Sequence, residues 1–193
     1  MKINGRGQAA VINNDEFSKI RRQVRSTKYK LMLDILWFTG ERCGAVVQLQ
    51  VSDVYDENGM VRDEITFRAN TRKKRPDGTV ETRQVPIHDV LREGLQNYKP
   101  SSHSIWLFPN RDGEKHITLR NAADILMRAV DRAGLTSKGI STHSFRRTFI
   151  TRLHSNGTSP VTIKKITGHK DMKALERYID VTDDQIKGAI ANL

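Results

Sequence analysis

Cysteine is nearly absent from this sequence. Cys43 is the only one among 193 residues, so no disulfide can close within the chain, and a reducing cytoplasm is the expected setting. No apolar run is long enough to span a bilayer, and the N-terminus lacks a charged, then apolar, then small-residue leader. Export and a membrane partner are therefore not expected. No glycine-rich loop leads into Lys-Ser or Lys-Thr, which argues against nucleotide hydrolysis. Six histidines and one cysteine form no close ligand pair, and neither Asp183-Asp184 nor Asp53 with Asp56 makes a two-metal nuclease site. Neither metal nor cofactor is expected. Repeats and low-complexity blocks are missing as well. Acidic side chains are in short supply, 22 against 33 Lys and Arg, for a net charge of +11. Such a balance favours a polyanionic partner, nucleic acid before an acidic membrane surface.

What is present reads mainly as helix. After a lead-in over 1–13, Asn14 is placed to cap a helix to about Arg25, with Phe17, Ile20 and Val24 on one face. Thr27 opens a second helix carrying Leu31, Ile35 and Phe38, stopped by Thr39-Gly40. A third starts at Glu41, with Arg42 in its first turn. From Val51 to Ile87 the period changes to two, predicting three strands: Val54–Asp56, Glu64–Ala69 and Val80–Pro86. Turns at Glu57-Asn58-Gly59 and Pro76-Asp77-Gly78 separate them. A helix from His88 to Tyr98 and a buried extended segment, Ile105–Pro109, come next. Thr118 then caps a longer helix that closes at Gly134, with Ala122, Ile125, Leu126 and Ala129 as its stripe. Ser141 or Thr142 caps a helix with Phe145, Phe149 and Leu153 inward, and Ser159-Pro160 signals another start. Asp171 caps a short helix bearing Tyr178, and 182–193 can form an amphipathic tail. The fold class is mainly α with a small three-stranded antiparallel sheet (α+β).

The chemistry is concentrated between Thr142 and Tyr178. His143 and Arg146 lie three residues apart, on one face of a helix, and can meet a single anion. His169 follows Gly168, a helix stop, and Tyr178 follows nine positions later. Taken singly, these are a surface pair, an exposed residue past a helix end and a core tyrosine. Together they are the inventory for phosphate chemistry with a phenol nucleophile.

The series His143-x-x-Arg146, Gly168-His169, Tyr178 resembles the C-terminal boxes of the tyrosine recombinase (phage integrase) family. The resemblance implies that fold over 14–181, with a C-terminal helix over 182–193 exchanged between subunits. It implies Tyr178 as nucleophile, Arg42 and Arg146 as the phosphate clamp, and His143 and His169 as proton-handling and orienting groups. Arg42 follows Thr39-Gly40 and precedes Ser52-Asp53, as the family's first arginine does. The catalytic lysine of the family lies on the basic hairpin, here Lys73 or its neighbour Lys74. Arg72, Lys74, Arg75, Arg147 and Lys170 are the expected DNA contacts. One departure stands out: the family usually has a Glu three residues after the first Arg, and this chain has Ala45.

The implied activity is site-specific recombination or integration, cleaving and rejoining double-stranded DNA through a 3′-phosphotyrosyl link without metal or ATP. Self-association as a tetramer on paired sites and accessory DNA-bending proteins are the implied partners. The alternatives are type IB topoisomerase-like relaxation and a weakly catalytic DNA-binding regulator, for which Ala45 gives some footing. The helical N-terminal DNA-binding domain usual in the family is not visible. The expectation is a catalytic fragment or one of the short stand-alone members.

Overall fold

In the computed structural model, the helices that begin at Asn14, Asp89, Leu119 and Pro160 each start where a side chain accepts an N–H of the first turn. The structure describes residues 8–72, 81–169, 171–176, 178, 187, 190 and 191. Helix α1 (Asn14–Gln23) is capped by Asn13, one residue earlier than the sequence suggests, because Asn13 and Glu16 satisfy each other's backbone N–H groups. Helix α2 (Thr27–Thr39) ends at Gly40, whose φ of 58° is left-handed. A short α3 (Cys43–Val46) follows, with Arg42 at its N-cap in extended conformation rather than in its first turn. After the sheet come α4 (Asp89–Gln96), α5 (Leu119–Arg132), α6 (Thr142–Ser155), α7 (Pro160–Thr167) and α8 (Met172–Glu176). Thr118 and Ser159 cap α5 and α7 through their hydroxyls, as their positions predict.

The sheet has two antiparallel strands among the described residues, not three. Strand β1 (Glu64–Phe67) pairs with β2 (Arg83–Pro86), Ile65 opposite Val85 and Phe67 opposite Arg83. The expected strand at Val54–Asp56 is lost to local hydrogen bonding. The Asp53 carboxylate accepts from the Gln50 N–H at 2.8 Å, and the chain winds into a 3-10 turn over Val51–Asp53. Asp56 Oδ1 then takes the N–H groups of Asn58 and Met60, leaving one isolated bridge between Tyr55 and Val61. The hairpin tip, with Lys73, Lys74, Arg75 and the Pro76-Asp77-Gly78 turn, lies outside the described residues.

Two compact units divide the chain, 1–149 and 150–193. In the first, α1 packs on α5 and α2 on α4. Phe17 stacks on Trp37 at 4.1 Å between centroids and meets Phe145 edge-on. Residues 10–12 are tied in by the Ala10 N–H on the Gly139 carbonyl and the Ile12 N–H on Thr148 Oγ1, and Ile12 is buried. The extended segment before Asn110 buries Leu107 and Phe108 but exposes Ile105. In the second unit, Ile150, Ile163 and Leu175 form a small core, with Leu153, Met172 and Tyr178 packed against it. Of the 182–193 tail, only Lys187, Ile190 and Ala191 are described, and all three are helical. No helix among the described residues is long and apolar enough to cross a membrane.

Candidate active site

In the first unit, α3, α6 and the segment after β1 enclose a pocket of about 180 Å³. Arg42, Thr71, Arg72, Thr142, His143 and Arg146 line it, with Glu41 at its base. The three-residue spacing on α6 puts His143 and Arg146 into the same pocket, as a helix face requires. His143 is exposed, whereas Arg146 is buried at 4 %.

Glu41 organises this cluster. It is 1 % exposed, and its carboxylate accepts from Arg83 at 2.7 Å and from the Arg42 backbone N–H at 2.7 Å. Arg72 Nε lies 3.4 Å from it and an Arg146 terminal nitrogen 3.7 Å. Burial works to raise the Glu41 pKa, but the guanidiniums of Arg83, Arg146 and Arg72 and the Arg42 N–H outweigh it. They hold the carboxyl below the usual range. Arg83 is pulled downward by its own burial, with Glu41 opposing, and it also donates to the Thr39 carbonyl. An arginine so placed keeps its charge.

The two expected clamp arginines are held differently. Arg146 donates to the Gly40 carbonyl at 3.1 Å, which ties α6 to the stop of α2. Arg42 is fixed through its backbone at the head of α3, where its carbonyl accepts from Ala45 and Val46. Its guanidinium has no hydrogen-bond or ion-pair partner among the described residues and is half-buried in the pocket wall. Arg72, one of the expected DNA contacts, lines the pocket and donates to the Glu81 carbonyl at 2.7 Å. Arg147 points elsewhere, to the carbonyl of Ala9 at 3.1 Å. Cys43 also lines the pocket, but burial pushes its thiol up to about 12, so it stays protonated and inert.

His169 and Tyr178 meet in the second unit, their ring centroids 5.9 Å apart at 50°. Gly168, at a φ of 67°, closes α7, and the His169 N–H bonds the Lys164 carbonyl just past this stop. Thr167 Oγ1 donates to the Ile163 carbonyl at 2.6 Å and lies 2.6 Å from His169 Nδ1. This contact between near neighbours fixes the orientation of the imidazole just past the helix stop. Tyr178 is half-buried, its N–H on the Leu175 carbonyl, and its ring belongs to the edge of the Ile150 core. Lys73, Lys74, Arg75 and Lys170 lie outside the described residues. Among the described residues no group of three or more His, Cys, Asp or Glu side chains could hold a metal ion.

Sequence reasoning missed Glu41 and Arg83. A signal for Arg83 exists: in Arg83–Pro86 it shares the inward parity with Val85, so an inward-facing charge needed a buried partner. For Glu41 the signal is weaker, an acid between a helix-stopping glycine and an arginine.

Residues 11–185 match the model of the phage integrase family. Tyrosine recombinase XerD of Bradyrhizobium diazoefficiens is 22 % identical over 96 % of this chain and 58 % of its own length. The crystal structure of XerH site-specific recombinase bound to difH substrate, a pre-cleavage complex, superposes with a TM-score of 0.68 at 19 % identity, covering 97 % of this chain and 55 % of that one. The catalytic domain of bacteriophage HP1 integrase gives 0.62 at 21 % identity, with 95 % of both chains covered. The chain thus spans between half and three-fifths of the length of the curated relatives it matches. With the family model matching most of its length and the same fold in those structures, this chain belongs to the phage integrase family, that of the tyrosine recombinases.

Proposed function

We propose that this chain performs the strand-transfer chemistry of a site-specific DNA recombinase. The observation that carries the reading is the 180 Å³ pocket lined by Arg42, Arg72, Arg146 and His143, with one guanidinium uncommitted to protein among the described residues. A scissile phosphate fits that chemistry. As a nucleophile adds, charge builds on the non-bridging oxygens, and paired guanidiniums stabilise it through two-pronged hydrogen bonds.

Tyr178 Oη is the nucleophile. A phenol is a weak nucleophile at neutral pH, so its proton must leave as attack proceeds, and His169 with His143 are the acceptors within the motif. The Oη–P bond forms as the P–O5′ bond breaks. The departing 5′ oxygen takes a proton from Lys73, with Lys74 the alternative donor. The 3′-phosphotyrosyl link conserves the bond's free energy, so a 5′ hydroxyl from another strand can reverse the step without ATP. Double-stranded DNA is the substrate, and exchange between two sites calls for self-association, a tetramer on paired sites.

Incubating the protein with nicked suicide duplexes tests this. Wild type is expected to yield a covalent protein–DNA band on denaturing gels, and Tyr178→Phe to bind DNA without forming it. An undiminished band with Tyr178→Phe would exclude Tyr178 as nucleophile. No band from the wild-type chain would leave a DNA-binding role only.

A further inference from the structure

The pocket's guanidiniums need a rigid mount, and position 45, where a carboxylate would be expected beside Arg42, holds a buried alanine. The nearest acid is Glu41, at the opposite end of the same turn. Each oxygen of its carboxylate has a cationic neighbour: Oε1 faces Arg146 and takes the Arg42 N–H, while Oε2 takes Arg83 and faces Arg72. These groups come from four separate segments of the first unit: the start of α3, the turn after β1, strand β2 and helix α6. Arg83 does not line the pocket; it stands on the inward face of β2, bonded to Glu41 and the Thr39 carbonyl.

We propose that Glu41 is a positioning residue for the strand-transfer reaction, a buried carboxylate that aims Arg146 and Arg72 at the phosphate, with Arg83 as its dedicated counter-charge. In this chain the acid that braces the arginines has moved to the residue before Arg42, which is how the site accommodates Ala45. The activity readout rests on the strand-transfer reading above; the geometry does not.

A positioning role and a purely electrostatic one predict opposite signs. Glu41 is the pocket's negative charge, so neutralising it raises the positive potential and should leave DNA affinity equal or tighter. If its office is to aim guanidiniums, the chemical step slows regardless, since a displacement of about 1 Å at a reacting centre can cost on the order of 100-fold.

The test uses the full chain as wild type, Glu41→Gln and Glu41→Asp. Asp34→Asn, which breaks the separate Arg21–Asp34 pair, serves as a stability control. Single-turnover adduct formation on a suicide duplex is followed at saturating DNA, alongside DNA affinity and thermal melting. Expected for Glu41→Gln is a rate loss of about 100-fold with affinity unchanged or tighter. Glu41→Asp, which keeps the charge and retracts it by one methylene, should lose about tenfold and cover the case in which Gln does not fold. Asp34→Asn should keep its rate despite a lower melting temperature. Rates within twofold of wild type for both Glu41 variants overturn the proposal.

Guanidinium signals of ¹⁵N-arginine-labelled protein give an independent readout. Slow rotation of Arg83 and Arg146 in wild type should be lost in Glu41→Gln, or in Glu41→Asp if only that variant folds. Should wild type form no adduct, the strand-transfer reading falls, and these signals alone decide the positioning claim. Unchanged signals then overturn it, and their loss upholds it.

Discussion

A guanidinium that is to grip a phosphate has to be held in a fixed place. Arg146 meets the requirement with a bond to the Gly40 carbonyl and a looser 3.7 Å approach to Glu41. Arg42 meets it through its backbone alone. An ammonium in place of Arg146 could keep the charge but not the two-pronged contact. Arg146→Lys is therefore expected to lower the single-turnover adduct rate by about 10²–10³-fold. Its DNA affinity should change only a few-fold, since one phosphate contact among several is altered. At the same scale, Arg83→Met removes the closest cationic partner of a buried carboxylate. Such a loss costs about 3–5 kcal/mol, and for a chain of this size melting should fall by about 6–20 °C. The Glu41 carboxyl also carries a pH signature. Its folded-state pKa lies below its unfolded one, so the unfolded chain binds more protons in the interval between them. The stabilisation is complete above about pH 4.3 and is lost as pH falls through the folded value. Urea unfolding should therefore show the gap between wild type and Glu41→Gln narrowing from pH 6 to pH 3. A constant gap would mean that the carboxyl is not held down by its arginines.

At the scale of elements, the junction of α2 and α3 carries the site. Gly40 is left-handed at a φ of 58°, and a Cβ there would lie 2.4 Å from the Phe149 ring. Backbone strain of about 1–2 kcal/mol adds to overpacking of about 1–3 kcal/mol. Gly40→Ala is thus expected to melt roughly 10 °C lower. It should also slow adduct formation, because the carbonyl that anchors Arg146 would shift with it. Melting within 2 °C of wild type, read by circular dichroism, would contradict this account. The sequence showed this stop plainly, as it did the Thr118 and Ser159 caps, because capping is chemistry between near neighbours. It also placed His143 and Arg146 on one face. The strand expected at Val54–Asp56 failed because two aspartates, Asp53 and Asp56, satisfy backbone donors locally and pre-empt a ladder. The Glu41–Arg83 pair was illegible for the converse reason: its members lie 42 positions apart, and only the folded strand brings them together.

For the molecule as a whole, charge and chemistry separate in an experiment that varies only salt. The net charge of +11 attracts any duplex, and association releases counterions in proportion to the phosphates contacted. The slope is about −0.9 for each contact, so four contacts weaken binding by about 100-fold between 50 and 200 mM salt. The pocket differs from the open surface: Glu41, Arg83 and Arg146 are all buried, and buried pairs are screened far less. Adduct yield at a fixed low DNA concentration should therefore collapse with salt, while the single-turnover rate at saturating DNA stays within about threefold. A saturated rate that fell in step with affinity would place the governing charges on the exposed surface rather than in the pocket. The buried arginine cluster would then be scaffolding for the fold, with the phosphate held elsewhere.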